Sequence, residues 1–244
     1  MISGACWWTR VRRPAYSKTA TWWHARALAL LLGLVCLPPL ADIAAAHEGP
    51  REQYVPVLGV TMGEKPAGIV IYVMVLFTER GDAEGLEVHF LTGPGRFAQK
   101  TQAATVQAIG GAARALGLST DSWSVGLSVP YPDLVLEGDS LSAMIGLSVA
   151  AMAKREAIPR HRVISGTVTS DGRIGPVGDV LLKIAAAYQA GLHMVLVPPT
   201  SLGKGKLPYL TRVSSVGTVL QAYQALTMPQ DSVAGSHRAE ADTR

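Results

Sequence analysis

Three observations predict a mixed α/β (α+β) domain with several sheets and packed helices. Strand-like runs gather early in the chain, strand and helix patterns alternate later, and the 244 residues are 48% hydrophobic with no repeat of 20 to 50 residues. That length and composition can bury one sizeable core with short appendages, and a second large domain does not fit.

The elements follow in order. Residues 47–54 read as a short linker. "YVPVLGVTM" and "AGIVIYVMVLF" are strands rich in β-branched and aromatic residues, joined by the turn "GEKPAG". "ERGDAEG" is a polar connection and "LEVHFLT" a third strand. "GRFAQKTQAATVQAIGGAARALGL" carries apolar residues at helical spacing, with Gly110 and Gly111 as a soft spot, and "WSVGLSVP" is the next strand. The polar turn "LEGDS" then runs into the helix "SLSAMIGLSVAAMAKRE", whose Lys154 and Arg155 suit a helix C-terminus. "HRVISGTVT" is a strand, "SDGRIGPVG" a Gly-rich turn and "DVLLKIAAAYQAG" a helix closed by Gly191. "LHMVLVPP" is a buried strand, "VGTVLQAYQALT" the last helix, and residues 229–244 a polar tail expected to be disordered.

The charge is unevenly placed. Residues 1–46 carry Arg10, Arg12, Arg13, Lys18 and Arg26 against Asp42 alone, so the net charge of +4 belongs to this leader and the remaining 17 basic and 17 acidic residues cancel. A neutral body gives no basis for nucleic-acid binding. The leader has a basic, Trp-rich start, the apolar run "ARALALLLGLVCLPPL", and small residues at Ala44 and Ala46. This is the order of a secretory signal peptide or signal anchor, with cleavage expected after Ala46 and the body exported, periplasmic or secreted. Membrane contact is expected only through an uncleaved leader. Both cysteines, Cys6 and Cys36, lie in the leader, so the body has neither a thiol nucleophile nor a cysteine metal site. His89, His161, His193 and His237 are scattered without paired spacing; a copper site at His47, the new N-terminus after cleavage, is the one metal reading left, and no cofactor is expected.

Chemistry is signalled in two places. Lys183 sits among Val180, Leu181, Leu182, Ile184 and Ala185; desolvation there would lower its pKa and make a neutral amine available as a base. A serine hydroxyl needs such a base to act as a nucleophile, and Ser140 and Ser142 stand at a helix start. A serine in that position also serves as an N-cap.

"EGDSLSAM" followed by "VISGTVTSDGRIGPVGDVLLKIAAAYQAGLHMVLVP" resembles the proteolytic domain of the Lon proteases, and the likeness extends faintly over most of residues 55–228. The family carries an Asp-Gly-Pro-Ser-Ala-Gly turn bearing the nucleophile and, further on, a helix bearing a catalytic lysine. Aligned so that the family Asp falls on Asp139, the resemblance implies Ser142 as nucleophile, Lys183 as base, and Ser165 and Asp139 as supporting residues. The backbone N–H groups at Leu141 and Ala143 become oxyanion donors, and Ser140, in a glycine position, becomes the helix cap. Met144 then replaces the family's second glycine and would crowd the turn.

The implied activity is a Ser-Lys serine endopeptidase acting on polypeptides, with a homo-oligomer left open. No Walker motif is present, "SLGKGKLP" lacking its spacing, so the expected activity is independent of ATP and directed at unfolded or extended chains. The alternative is an inactive Lon-type fold serving as a binding or assembly module.

Overall fold

The computed structural model describes residues 49–201 and 211–228, so the leader, His47 and the polar tail lie outside the described residues. Among the described residues no helix is long and apolar enough to cross a membrane.

Strands β1 (Arg51–Val60) and β2 (Gly68–Glu79) form a long antiparallel hairpin, in register from Arg51 opposite Phe77 to Val60 opposite Gly68. Residues 51–54, half of the expected linker, are therefore strand. The run "REQY" alternates half-buried and exposed positions: Glu52 and Tyr54 face solvent, and Arg51 and Gln53 lie on the face that Val55 and Val57 continue into the core. Val55, Val57, Ile71, Val73, Val75 and Phe77 are buried on one face of the hairpin.

β3 (Glu87–Phe90) and a short β4 (Arg96–Phe97) lead into α1 (Gln99–Ala115). β5 (Trp123–Ser128) pairs antiparallel with β2 and parallel with β3, completing a four-stranded sheet in the order β1-β2-β5-β3. Phe77 meets Trp123 edge-to-face at 5.4 Å in its core. The two-residue β6 (Val135–Leu136) pairs with β4.

α1 runs unbroken through Gly110 and Gly111, because packing overrides the weak propensity of this pair. A Cβ on Gly111 would lie 2.9 Å from Val168 Cγ1. α2 (Ser142–Lys154) packs on α1 at close range, where a Cβ on Gly146 would lie 2.7 Å from the Ala108 carbonyl oxygen. α2 is apolar all round, with every residue from Ser142 to Met152 buried, as befits a central helix.

The expected strand "HRVISGTVT" divides into β7 (Arg162–Ile164) and β8 (Thr167–Val168), breaking at Ser165 and Gly166. β8 pairs with β9 (Ile174–Gly175). α3 (Val180–Gln189) follows, then β10 (Met194–Val197), β11 (Arg212–Ser215) and α4 (Val219–Thr227), with Thr218 capping α4 by accepting from the Gln221 N–H at 3.2 Å. β11, β10 and β7 form a second, parallel sheet. This is the mixed α+β architecture that the sequence predicts.

Candidate active site

Lys183 reaches the turn before α2 from α3. A helix starting at Val180 turns its third and fourth positions, Leu182 and Lys183, toward the sheet side, leaving Leu181 40% exposed. Lys183 is only 6% exposed, and its Nζ donates to Ser140 Oγ at 2.9 Å. Burial pushes the Lys183 pKa down, while the nearby carboxylates of Asp179 and Asp139 oppose that shift. Once the ammonium loses a proton, the same 2.9 Å pair supports the reverse bond, with the Ser140 hydroxyl donating to the amine lone pair.

The serine that meets the lysine is therefore Ser140. The structure does not bring Ser142 to Lys183: Ser142 is the first residue of α2, 1% exposed, and its Oγ has no hydrogen-bond partner among the described residues. Nor is Ser140 a helix cap. The N-cap position is Leu141, and no side chain caps the helix.

The turn is stitched from behind by the break between β7 and β8. The Ser140 carbonyl accepts from the Gly166 N–H at 2.8 Å and from the Ser165 hydroxyl at 3.4 Å, and the Ala143 N–H donates to the Gly166 carbonyl at 3.1 Å. Ser165 thus holds the Ser140 backbone and makes no hydrogen bond to the lysine amine. The Ala143 N–H is already engaged, so of the two expected oxyanion donors only Leu141 has an N–H without a hydrogen bond among the described residues. Asp139 acts on Lys183 through charge and accepts from the Ser142 N–H, at 3.0 Å, through its backbone carbonyl. Met144 is 1% exposed in the core of α2.

A different register reconciles the family motif with this geometry. Gly138 has φ +101°, a left-handed conformation that glycine adopts without strain. Placing the motif's first glycine on Gly138 puts its acidic residue on Glu137 and its serine on Ser140, while Ser142 takes the position of the second glycine.

Two further residues shape the site and were not singled out from sequence. Asp179, at the N-cap of α3 with φ +55°, stands four residues before Lys183 and contributes the larger of the two opposing charges; an Asp at i−4 from a lysine was the available signal. Gly68 starts β2 hard against α3: a Cβ there would lie 2.0 Å from the Leu182 carbonyl oxygen and 3.0 Å from Ala186 Cβ. Sequence marks Gly68 only as a turn residue. Among the described residues no group of three or more His, Cys, Asp or Glu side chains could hold a metal ion.

Comparison with known proteins agrees with this architecture. The model of the Lon protease (S16) C-terminal proteolytic domain matches residues 75–206, more than half of the chain, and the chain belongs to this family of serine-peptidase domains. It is similar to the Lon protease of Heliobacterium modesticaldum, 25% identical over 162 residues that make up 61% of this chain and 19% of the relative. Similarity to the archaeal Lon proteases of Methanothermobacter thermautotrophicus and Archaeoglobus fulgidus is 32% over 68 residues and 34% over 67, each 28% of this chain and 11% of the relative. The chain thus spans about a fifth or less of the length of these relatives.

Proposed function

We propose that the domain is a serine endopeptidase in which Ser140 is the nucleophile and Lys183 its general base. The observation that carries this reading is the 2.9 Å contact between Lys183 Nζ and Ser140 Oγ in surroundings that favour the neutral amine. The neutral amine takes the hydroxyl proton as Ser140 Oγ attacks a peptide carbonyl. The resulting ammonium then protonates the departing amine, leaving an acyl-enzyme. Water, deprotonated by the same amine, releases the acid and restores the serine. Lysine suits this cycle because its pKa responds strongly to burial, and burial here lowers it toward the free amine.

Backbone bonds from Gly166 and the Ser165 hydroxyl fix Ser140 in space, which is the role a positioned nucleophile requires. The Leu141 N–H is the donor we assign to the developing oxyanion. The substrate in this reading is an unfolded or extended polypeptide, cleaved without ATP on the side of the membrane to which the leader directs the body. The domain works alone or as a homo-oligomer.

The test uses the full chain with an unstructured protein substrate, with and without ATP. Cleavage that is independent of ATP and lost in Ser140→Ala and Lys183→Ala is the expected result. A folded wild-type protein that neither cleaves nor is acylated at Ser140 by a small activated ester would favour a binding or assembly role.

A further inference from the structure

The four-stranded sheet has an open stretch beside the site, and one tyrosine closes it in part. β2 pairs with β1 along Gly68–Phe77, but with β5 only along Met74–Glu79. On the β5 side, no strand among the described residues pairs with the stretch from Gly68 to Tyr72. The parity of the ladder decides which groups face that side. Pro56 stands opposite Tyr72 and has no N–H to give, and the Tyr72 N–H is bonded away from β1. Alternation then directs the Val70 N–H and carbonyl to the same open side.

The reason β5 stops is also local. Continuing its register would place Pro130 opposite Tyr72, where a residue of β5 should donate to the Tyr72 carbonyl. Pro130 has no donor, and the chain leaves the sheet in a turn. The connection between β3 and β4 holds that turn: Gly95 donates to the Val129 carbonyl at 3.0 Å and Asp133 donates to the Pro94 carbonyl at 2.9 Å. Tyr131 folds back from the turn, and its hydroxyl accepts from the Tyr72 N–H at 3.3 Å. The phenol oxygen therefore sits where the backbone carbonyl of a further strand would sit. At its other end the open stretch begins at Gly68, pressed against the Leu182 carbonyl, the residue before Lys183.

We propose that the open β2 edge from Gly68 to Tyr72 receives an extended polypeptide segment as an added strand, and that Tyr131 is its specificity-determining gate, holding the Tyr72 amide until a substrate carbonyl displaces it. This rests on the peptidase reading above and names how its substrate docks. Strand addition draws affinity from backbone bonds, so it accepts many sequences while rejecting folded chains, whose backbone groups are already paired. Tyr131 and Tyr72 are 37% and 38% exposed, so the exchange needs no rearrangement of the core. The hydroxyl sets a threshold: a segment able to supply one carbonyl gains little, whereas one that also engages Val70 outcompetes it.

The test measures binding separately from cleavage. A short, proline-free fluorescent peptide is titrated by anisotropy into the full chain carrying Ser140→Ala, with and without Tyr131→Phe. Removing the competing hydroxyl frees the Tyr72 amide, and the dissociation constant is expected to fall about two- to tenfold, the range of one neutral hydrogen bond. The same peptide with alternate backbone nitrogens methylated should bind at least about tenfold more weakly, since it cannot complete the ladder. Unchanged or weaker binding in Tyr131→Phe, equal binding of the methylated peptide, or no binding at all would overturn the proposal. Acylation of Ser140 by a small activated ester, which needs no strand contacts, reads the dyad independently in the chain with Ser140 intact. Failure of the edge and failure of the peptidase reading are thereby distinguished.

Discussion

Gly68→Ala tests whether β2 sets the position of the base. The added Cβ would meet the Leu182 carbonyl oxygen at 2.0 Å and its carbon at 2.6 Å, both backbone atoms that no rotamer change can move aside. Cβ contacts closer than about 3.0 Å are essentially never formed, so α3 must retreat from β2 by about 1 Å or more. Lys183 follows Leu182 directly, and a retreat of that size opens its 2.9 Å bond to Ser140 beyond hydrogen-bond range. A misplacement of about 1 Å at a reacting pair costs on the order of 100-fold in rate. The overpacking itself costs about 1–3 kcal/mol, which lowers Tm by a few degrees for a domain of this size. The assay is the second-order rate of Ser140 acylation by a small activated ester, followed over pH beside a thermal melt. A variant within threefold of wild type in acylation, with an unchanged melt, would refute the claim that this contact fixes the lysine.

Three other outcomes follow from the same geometry. Asp179→Asn removes the stronger charge favouring the Lys183 ammonium, and Asn tolerates the left-handed backbone at this position, so the pH–rate profile should move to lower pH with kcat retained at its plateau. Because the Lys183 pKa is lowered on folding, the unfolded chain binds the extra proton between the folded value and the ordinary lysine value. Stability contributed by Lys183 should therefore rise with pH across that window and stay flat below it, as urea titrations at several pH values would show. Arg162, 4% exposed, donates from Nη1 to the carbonyls of Ala225, Leu226 and Met228 at the end of α4. Arg162→Met should cost about 2–3 kcal/mol in denaturant unfolding, since it leaves the last carbonyls of α4 without their charged donor.

Much of the fold was legible because its signals are local. The hairpin of β1 and β2, the helices α1 to α4 and the buried β10 all follow from residue pattern and turn chemistry. Pairs such as β4 with β6 and β8 with β9 are two residues long and exist only through their partners, so no periodicity announces them. The strand spanning "HRVISGTVT" is broken because Gly166 turns its N–H and carbonyl to Ser140 and Ala143, while the Ser165 N–H still bonds the Leu196 carbonyl of β10, a tertiary demand absent from the local pattern.

Lys183 was legible in the sequence, and the serine that contacts it was not. Lys183 stands out as the charged residue within an apolar helix, and it is buried as expected. Ser140 and Ser142 differ only in backbone geometry. Gly138, with φ +101°, fits the motif's first glycine, and in that register the motif's serine is Ser140, two positions before the one that alignment on Asp139 gives. With Ser140 at the lysine, Met144 belongs to the core and does not crowd the turn.

Separate substitution of the two serines decides which of them attacks. Cleavage of an unstructured protein is compared for wild type, Ser140→Ala, Ser142→Ala and Lys183→Ala, with a melt for each. Ser140→Ala and Lys183→Ala should each lose at least about a thousandfold in kcat. Ser142→Ala should keep its activity and gain about 1 kcal/mol of stability, because it deletes a buried hydroxyl that has no partner among the described residues. Activity lost in Ser142→Ala and kept in Ser140→Ala would contradict the assignment and return the nucleophile to Ser142.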